Sequence, residues 1–189
     1  MNIKYPKGTI KNKEVNKVKT YGNRGMTLED DLNLTNNYYL ENNIAIIHKK
    51  PTPIQVTKTS LNKITLAYFK EPSTTDYNGL YKGKYIDFEA KETTSKTSFP
   101  LENIHKHQIE YIRKVIKHNG IVFLIVRFST LNRDFVISGK DIIDYINNNE
   151  RKSIPLSYFE NNTYEIGIKY APRLDYIKIV DKLINEHNN

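Results

Sequence analysis

The sequence predicts an α/β fold: a mixed central β-sheet flanked by helices, with a projecting two-stranded ribbon and a flexible basic N-terminal arm. Three observations carry this. Segments of helical and strand period follow one another as helix, strands, helix, strands, helix, the order of a sheet layered with helices. Ile121 to Phe128, IVFLIVRF, is a near-continuous apolar run, as in a central strand covered on both faces. Residues 1–24 hold seven basic side chains against the single acid Glu14, with too few apolar residues to build a core.

In chain order, residues 1–22 form the arm, and residues 23–189 form a single domain with an insertion at about 49–73. The arm's lysines, among them Lys11, Lys13, Lys17 and Lys19, suit contact with DNA phosphates. Thr27 with Asp30 three residues on is a capping-box pattern, so a helix starts near Thr27 and runs to about Glu41. Its dipole accounts for Glu29, Asp30 and Asp31 in the first turn, although one of them could lean into a site. Arg24, just before this helix, is placed to clamp a phosphate.

Ile44 to His48 reads as a buried strand. The prolines at 51 and 53 and the polar bend at Ser60-Leu61-Asn62 make Ile54–Lys58 and Ile64–Lys70 a poor central sheet, so these two strands become the ribbon. Beyond the catalytic candidate stretch, a helix spans about Glu102 to His118 on a stripe of Ile109, Ile112, Val115 and Ile116. Phe135–Ile137 partners the central strand, Gly139–Asn149 is a short helix, and Leu174–Glu186 a final amphipathic one. His48, His105 and His107 offer no paired spacing for a histidine metal site.

The chemistry concentrates in Thr74 to Lys91, TTDYNGLYKGKYIDFEAK. Apolar Ile86, Phe88 and Ala90 alternate with Asp87, Glu89 and Lys91, the period of a half-buried strand. Glu89 and Lys91 therefore share one face. A turn signal at Tyr77-Asn78-Gly79 lets Asp76 fold back beside that face. Alternating charges on a strand are ordinarily a solvated face. Two carboxylates and a lysine at one strand end, however, suit a hard divalent cation with an ammonium beside it, the chemistry of phosphodiester cleavage. Asp87 lies one strand step further from Lys91 and is the reserve candidate.

Composition agrees. With 29 basic and 21 acidic residues the formal charge is +8, which favours a phosphate-bearing partner. The absence of cysteine excludes disulfides and cysteine-based zinc sites. The N-terminus lacks the apolar stretch of a signal peptide and no run reaches membrane-spanning length, so a cytoplasmic protein is expected.

Together with NRGMTLEDDLN at 23–33, IHKKPTP at 47–53, KTSFPL at 96–101, HQIE at 107–110 and YAPRLDYI at 170–177, this stretch resembles the RecU family of Holliday junction resolvases, within the PD-(D/E)xK nuclease superfamily. The resemblance implies a PD-(D/E)xK core with the 49–73 segment as a stalk entering the junction, and a homodimer that nicks four-way DNA symmetrically. It implies magnesium as cofactor, with manganese able to substitute, held by Asp76 and Glu89 with Thr74 and Gln108 completing the metal shell. Lys91 stands for the transition-state stabiliser, and Glu29 for a first-helix glutamate of the catalytic set. Lys49 and Lys50, at the base of the stalk, join the DNA-binding set, and recombinase and branch-migration proteins are expected partners. Thr75 stands where the superfamily motif nominally has proline.

Two rival readings remain open on the residues alone. A restriction-type nuclease of the same superfamily would cut linear duplex. A non-catalytic DNA-binding or strand-annealing accessory protein would need a degenerate site, whereas Asp76, Glu89 and Lys91 are all present.

Overall fold

A computed structural model describes residues 27–70 and 74–188. The arm, with Lys11, Lys13, Lys17, Lys19 and Arg24, lies outside the described residues. Helix α1 (Leu28–Glu41) begins at Thr27, whose hydroxyl accepts from the Asp30 amide while the Asp30 carboxylate accepts from the Thr27 amide, a closed capping box. Strands β1 (Ile46–Lys49), β2 (Ile54–Ser60), β3 (Lys63–Phe69), β4 (Tyr77–Tyr81), β5 (Lys84–Thr93) and β6 (Ser98–Pro100) follow. A 3₁₀ turn at Leu101–Asn103 leads to α2 (Lys106–Lys117), then β7 (Ile121–Phe128), β8 (Arg133–Ser138) and α3 (Gly139–Asn148). The chain ends with β9 (Ser153–Pro155), α4 (Leu156–Asn162), β10 (Tyr164–Ile166) and α5 (Ile177–Asn188).

The main sheet has six strands in the order β1-β4-β5-β7-β8-β10. It is mixed: β5 and β7 run parallel, and the other neighbours are antiparallel. α1 and α5 cover one face, where Leu32, Tyr39, Phe88, Phe123, Tyr176 and Val180 form one core. On the other face α2, α3 and α4 contribute Ile112, Ile142 and Phe159 to a second core with Leu124, Val126 and Ile137. Every residue of β7 is buried, as its apolar run predicts.

Two expectations need correction, and the ordinary reading of alternating charges on β5 is excluded. Ile44–His48 is not a buried strand, because β1 is the sheet's edge and only Ala45 and Ile47 of that segment turn inward. Tyr77-Asn78-Gly79 is not a turn but the start of β4. The hairpin turns instead at Lys82-Gly83, both with positive φ, 47° and 74°, the conformation of a two-residue hairpin loop. Gly79 is needed for a different reason: a Cβ there would lie 1.9 Å from the Ile46 carbonyl oxygen on β1. Finally, the charged face of β5 is not solvated. Asp87 is fully buried and Glu89 only 2% exposed, because α2 packs over that face.

Helix α2 starts at Lys106 rather than Glu102, since Leu101–Asn103 closes as a separate 3₁₀ turn and His105 is the cap. β2 and β3 pair only with each other and every residue in them is exposed. No helix among the described residues is long and apolar enough to cross a membrane.

The two hairpin glycines should therefore behave differently in urea unfolding. Gly79→Ala is expected to lose about 1–3 kcal/mol by overpacking against β1. Gly83→Asn should be close to neutral, because asparagine adopts the left-handed conformation that this open position requires.

Candidate active site

The β4–β5 pairing begins at Tyr77 and Phe88, so Asp76 and Glu89 are the next residue on each segment. The hairpin thus brings the two carboxylates into one neighbourhood. Asp76 is partly exposed, and its Oδ2 accepts from the Ala90 amide at 3.1 Å. Glu89 is held from the other side: its Oε1 accepts from Gln108 Nε2 at 2.7 Å and lies 2.8 Å from Lys91 Nζ. Among the described residues, nothing in the protein bonds its second oxygen, Oε2, although that atom is buried.

An anion in this position is costly, because burial removes water and Asp76 repels it. These two causes, burial first, push the Glu89 carboxyl up to about 7 against the opposing pull of Lys91 and Gln108. A buried oxygen without a donor, on a carboxylate near a second one, is what a bound cation would resolve. The described residues contain no group of three or more His, Asp or Glu side chains that would cage a metal unaided. The donor set instead fits a hard ion such as magnesium, which binds through one or two carboxylates and takes its remaining oxygens from water and phosphate.

Gln108 comes from the first turn of α2, where its Oε1 accepts from the His105 amide at 3.0 Å. Its nitrogen, not its oxygen, thus faces Glu89, which makes it an orienting group for that carboxylate. Glu29 and Asp76 line one pocket of about 360 Å³ with Thr27, Leu28, Ala90 and Glu92. The Glu29 carboxylate is also ion-paired with the exposed Lys49. Glu92 escaped the sequence reading; its carboxylate accepts from the Leu28 amide and fastens the start of α1 to the site.

Three residues have other duties than expected. Lys50, assigned to DNA, is turned inward: its side chain is only 14% exposed, and its ammonium lies 2.8 Å from Asp87 Oδ2. It also donates to Thr75 and, at 3.2 Å, to Thr74 Oγ1, while Tyr111 presents its ring. Thr74 is therefore occupied as an acceptor. Asp87 cannot serve as the reserve catalytic group, because Thr75, Lys50, Tyr85 and Tyr111 all donate to it. The helical spacing of Tyr111 from Gln108, three residues, was the available signal that both face β5.

The family model for recombination protein U matches residues 23–182. The chain is similar to the Holliday junction resolvase RecU of Geobacillus sp. (strain WCH70), 50% identical over 201 residues that cover 99% of this chain and 100% of the relative. It is likewise 50% identical to the protein of that name from Geobacillus kaustophilus (strain HTA426), over 97% of this chain and 98% of the relative. A third, from Bacillus cytotoxicus, is 49% identical over 96% and 98%.

The raised Glu89 pKa has a measurable sign. The folded protein binds this proton more tightly than the unfolded chain, whose glutamate titrates near 4.5. Its contribution to stability is complete below that value and is lost as pH rises through about 7. In chelator, thermal stability of the wild type relative to Glu89→Gln should fall over this window. Adding a divalent cation above pH 7 should restore it in the wild type alone.

Proposed function

The chain belongs to the RecU family, and from that premise we propose that it is a Holliday junction resolvase that nicks four-way DNA at the Asp76–Glu89–Lys91 site, with magnesium as its cation. The observation that carries the site assignment is the buried Glu89 Oε2, which no group among the described residues bonds, on a carboxylate next to Asp76. In this reading the sheet and its helices are the PD-(D/E)xK core, and the β2–β3 ribbon is the family's stalk.

Magnesium, when bound, polarises the scissile phosphate and lowers the pKa of a coordinated water; manganese would substitute. The protein's part is positioning. Asp76 and Glu89 would supply ligand oxygens. Gln108 orients Glu89 through its amide and keeps the free oxygen turned toward the cation. Lys91, held at 2.8 Å from Glu89 Oε1, places its ammonium where negative charge grows on the phosphate in the transition state. Glu29, at the mouth of the same pocket, adds negative potential and holds Lys49 close to an incoming phosphate. Products carry 5′-phosphate and 3′-hydroxyl ends.

A homodimer supplies one site for each of the two strands cut. Phosphate contacts position such a complex without reading sequence, so junction choice comes from the spacing of the two sites and the shape between them. Lys49 and the basic arm are the surfaces that would meet the backbone.

The test is cleavage of a mobile synthetic four-way junction beside a linear duplex of the same sequence, in magnesium. Symmetric nicks in the junction alone are expected. Asp76→Asn and Glu89→Gln should abolish nicking with junction binding intact, and Lys91→Ala should slow it by about 10²–10³-fold. Equal cutting of the duplex would replace the resolvase with a restriction-type nuclease. Binding without nicks in any divalent metal would leave a non-catalytic DNA-binding protein.

A further inference from the structure

The ribbon leaves the body of the protein just after β1 and returns at Thr74, so its neck consists of Lys50 on the way out and Thr74–Asp76 on the way back. The neck is tied in two ways. The Lys50 amide donates to the Asp76 carbonyl at 2.7 Å, continuing the β1–β4 pairing. The Lys50 ammonium crosses the neck, bonding the hydroxyls of Thr74 and Thr75, and reaches Asp87 on β5. Thr75 is fully buried and donates to the other Asp87 oxygen. Tyr85 and Tyr111 donate to Asp87 Oδ2 at 2.6 and 3.2 Å, and the Lys50 ammonium sits 4.8 Å from the Tyr111 ring centre.

The placement of this cluster is what gives it meaning. Asp76 directly follows Thr75, and Glu89 lies two residues beyond Asp87 on the same strand face. One buried cation therefore joins the two segments that carry the site carboxylates. Two like charges held this close repel each other. Without a fastening between their backbones, the partly exposed Asp76 segment would relax outward.

We propose that Lys50 and Asp87 form a positioning clamp that fixes Asp76 relative to Glu89 and ties the neck of the ribbon to the metal-binding site. Lys50 then acts on catalysis without touching DNA, and Asp87 without touching the cation. The inference rests on the resolvase reading of the site for its consequence, but not for its first measurement.

Lys50→Met alone would strand a charged, buried Asp87, so the informative variant is Lys50→Met/Asp87→Asn, which removes both charges together. Thr75→Val, which deletes only the bridging hydroxyl, is the second variant and decides the matter should the first fail to fold. The first measurement is the rise in thermal midpoint with magnesium or manganese concentration, without DNA. The second is junction binding in chelator, and the third is the magnesium dependence of nicking. The clamp predicts that the metal concentration at half effect rises about 10–100-fold in the first and third, with junction binding unchanged, the size typical of groups that orient metal ligands. An unchanged metal midpoint would reduce the cluster to a structural ion pair and overturn the proposal. Weakened junction binding in chelator would make Lys50 a DNA contact and overturn it as well. Failure of the wild type to nick junctions at all would sink the resolvase reading, while the metal titration would still decide the clamp.

Discussion

Asp87, Glu89 and Lys91 stand in a row along the middle of the sheet, beneath a helix and almost out of water. Ionised groups endure such burial only when donors and counter-charges surround them, since the loss of hydration otherwise exceeds what packing returns. Much of the local sequence follows from that requirement. α2 must carry Gln108 and Tyr111 on its inner face where aliphatic residues would pack more simply, and Lys50, the residue after β1, must turn inward. Asp87 receives a full complement of donors, whereas Glu89 is left one short. Those two carboxylates, two residues apart, differ in that one is fully satisfied within the protein and the other is not.

The opposite face of the sheet solves a similar problem with a closed ionic network. Arg127 on β7 bonds Asp134 on β8 and Asp31 on α1, each at 2.7 Å, and Asp31 also takes Arg173 at 2.8 Å. Thr35 and Asn36 accept from the Leu174 amide and the Tyr176 hydroxyl, so α1 is fastened along its length to the segment entering α5. Glu92 secures the helix start. These ties give α1 a fixed height above the sheet, which is why Glu29 arrives at the rim of the pocket that Asp76 lines.

Much of this was legible in the sequence because its signals are local. The capping residues of α1, the apolar run of β7 and the alternation along β5 each depend on neighbours in the chain. Asp76, Glu89 and Lys91 could be placed together because a hairpin fixes its own register. The errors arose where the deciding partner is distant. Nothing near Asp87 announces that α2 will cover it with donors, so it read as a reserve catalytic group. Lys50 looks like its neighbour Lys49, yet one side chain reaches Asp87 and the other Glu29. Gly79 looked like a turn former because glycine serves both for turns and for close approach, and only the position of β1 distinguishes the two.

The ribbon formed by β2 and β3 owes nothing to the core: its side chains are exposed and it has no extensive contact with any other element. A substitution there does not touch the interactions that keep the protein folded, so the cell's quality-control machinery has nothing to detect. Defective ribbon alleles would accumulate to normal abundance and occupy substrate beside the wild type. Defective core alleles are removed as protein. Substitutions in the ribbon thus leave the amount of folded protein unchanged, whereas substitutions in the core lower it.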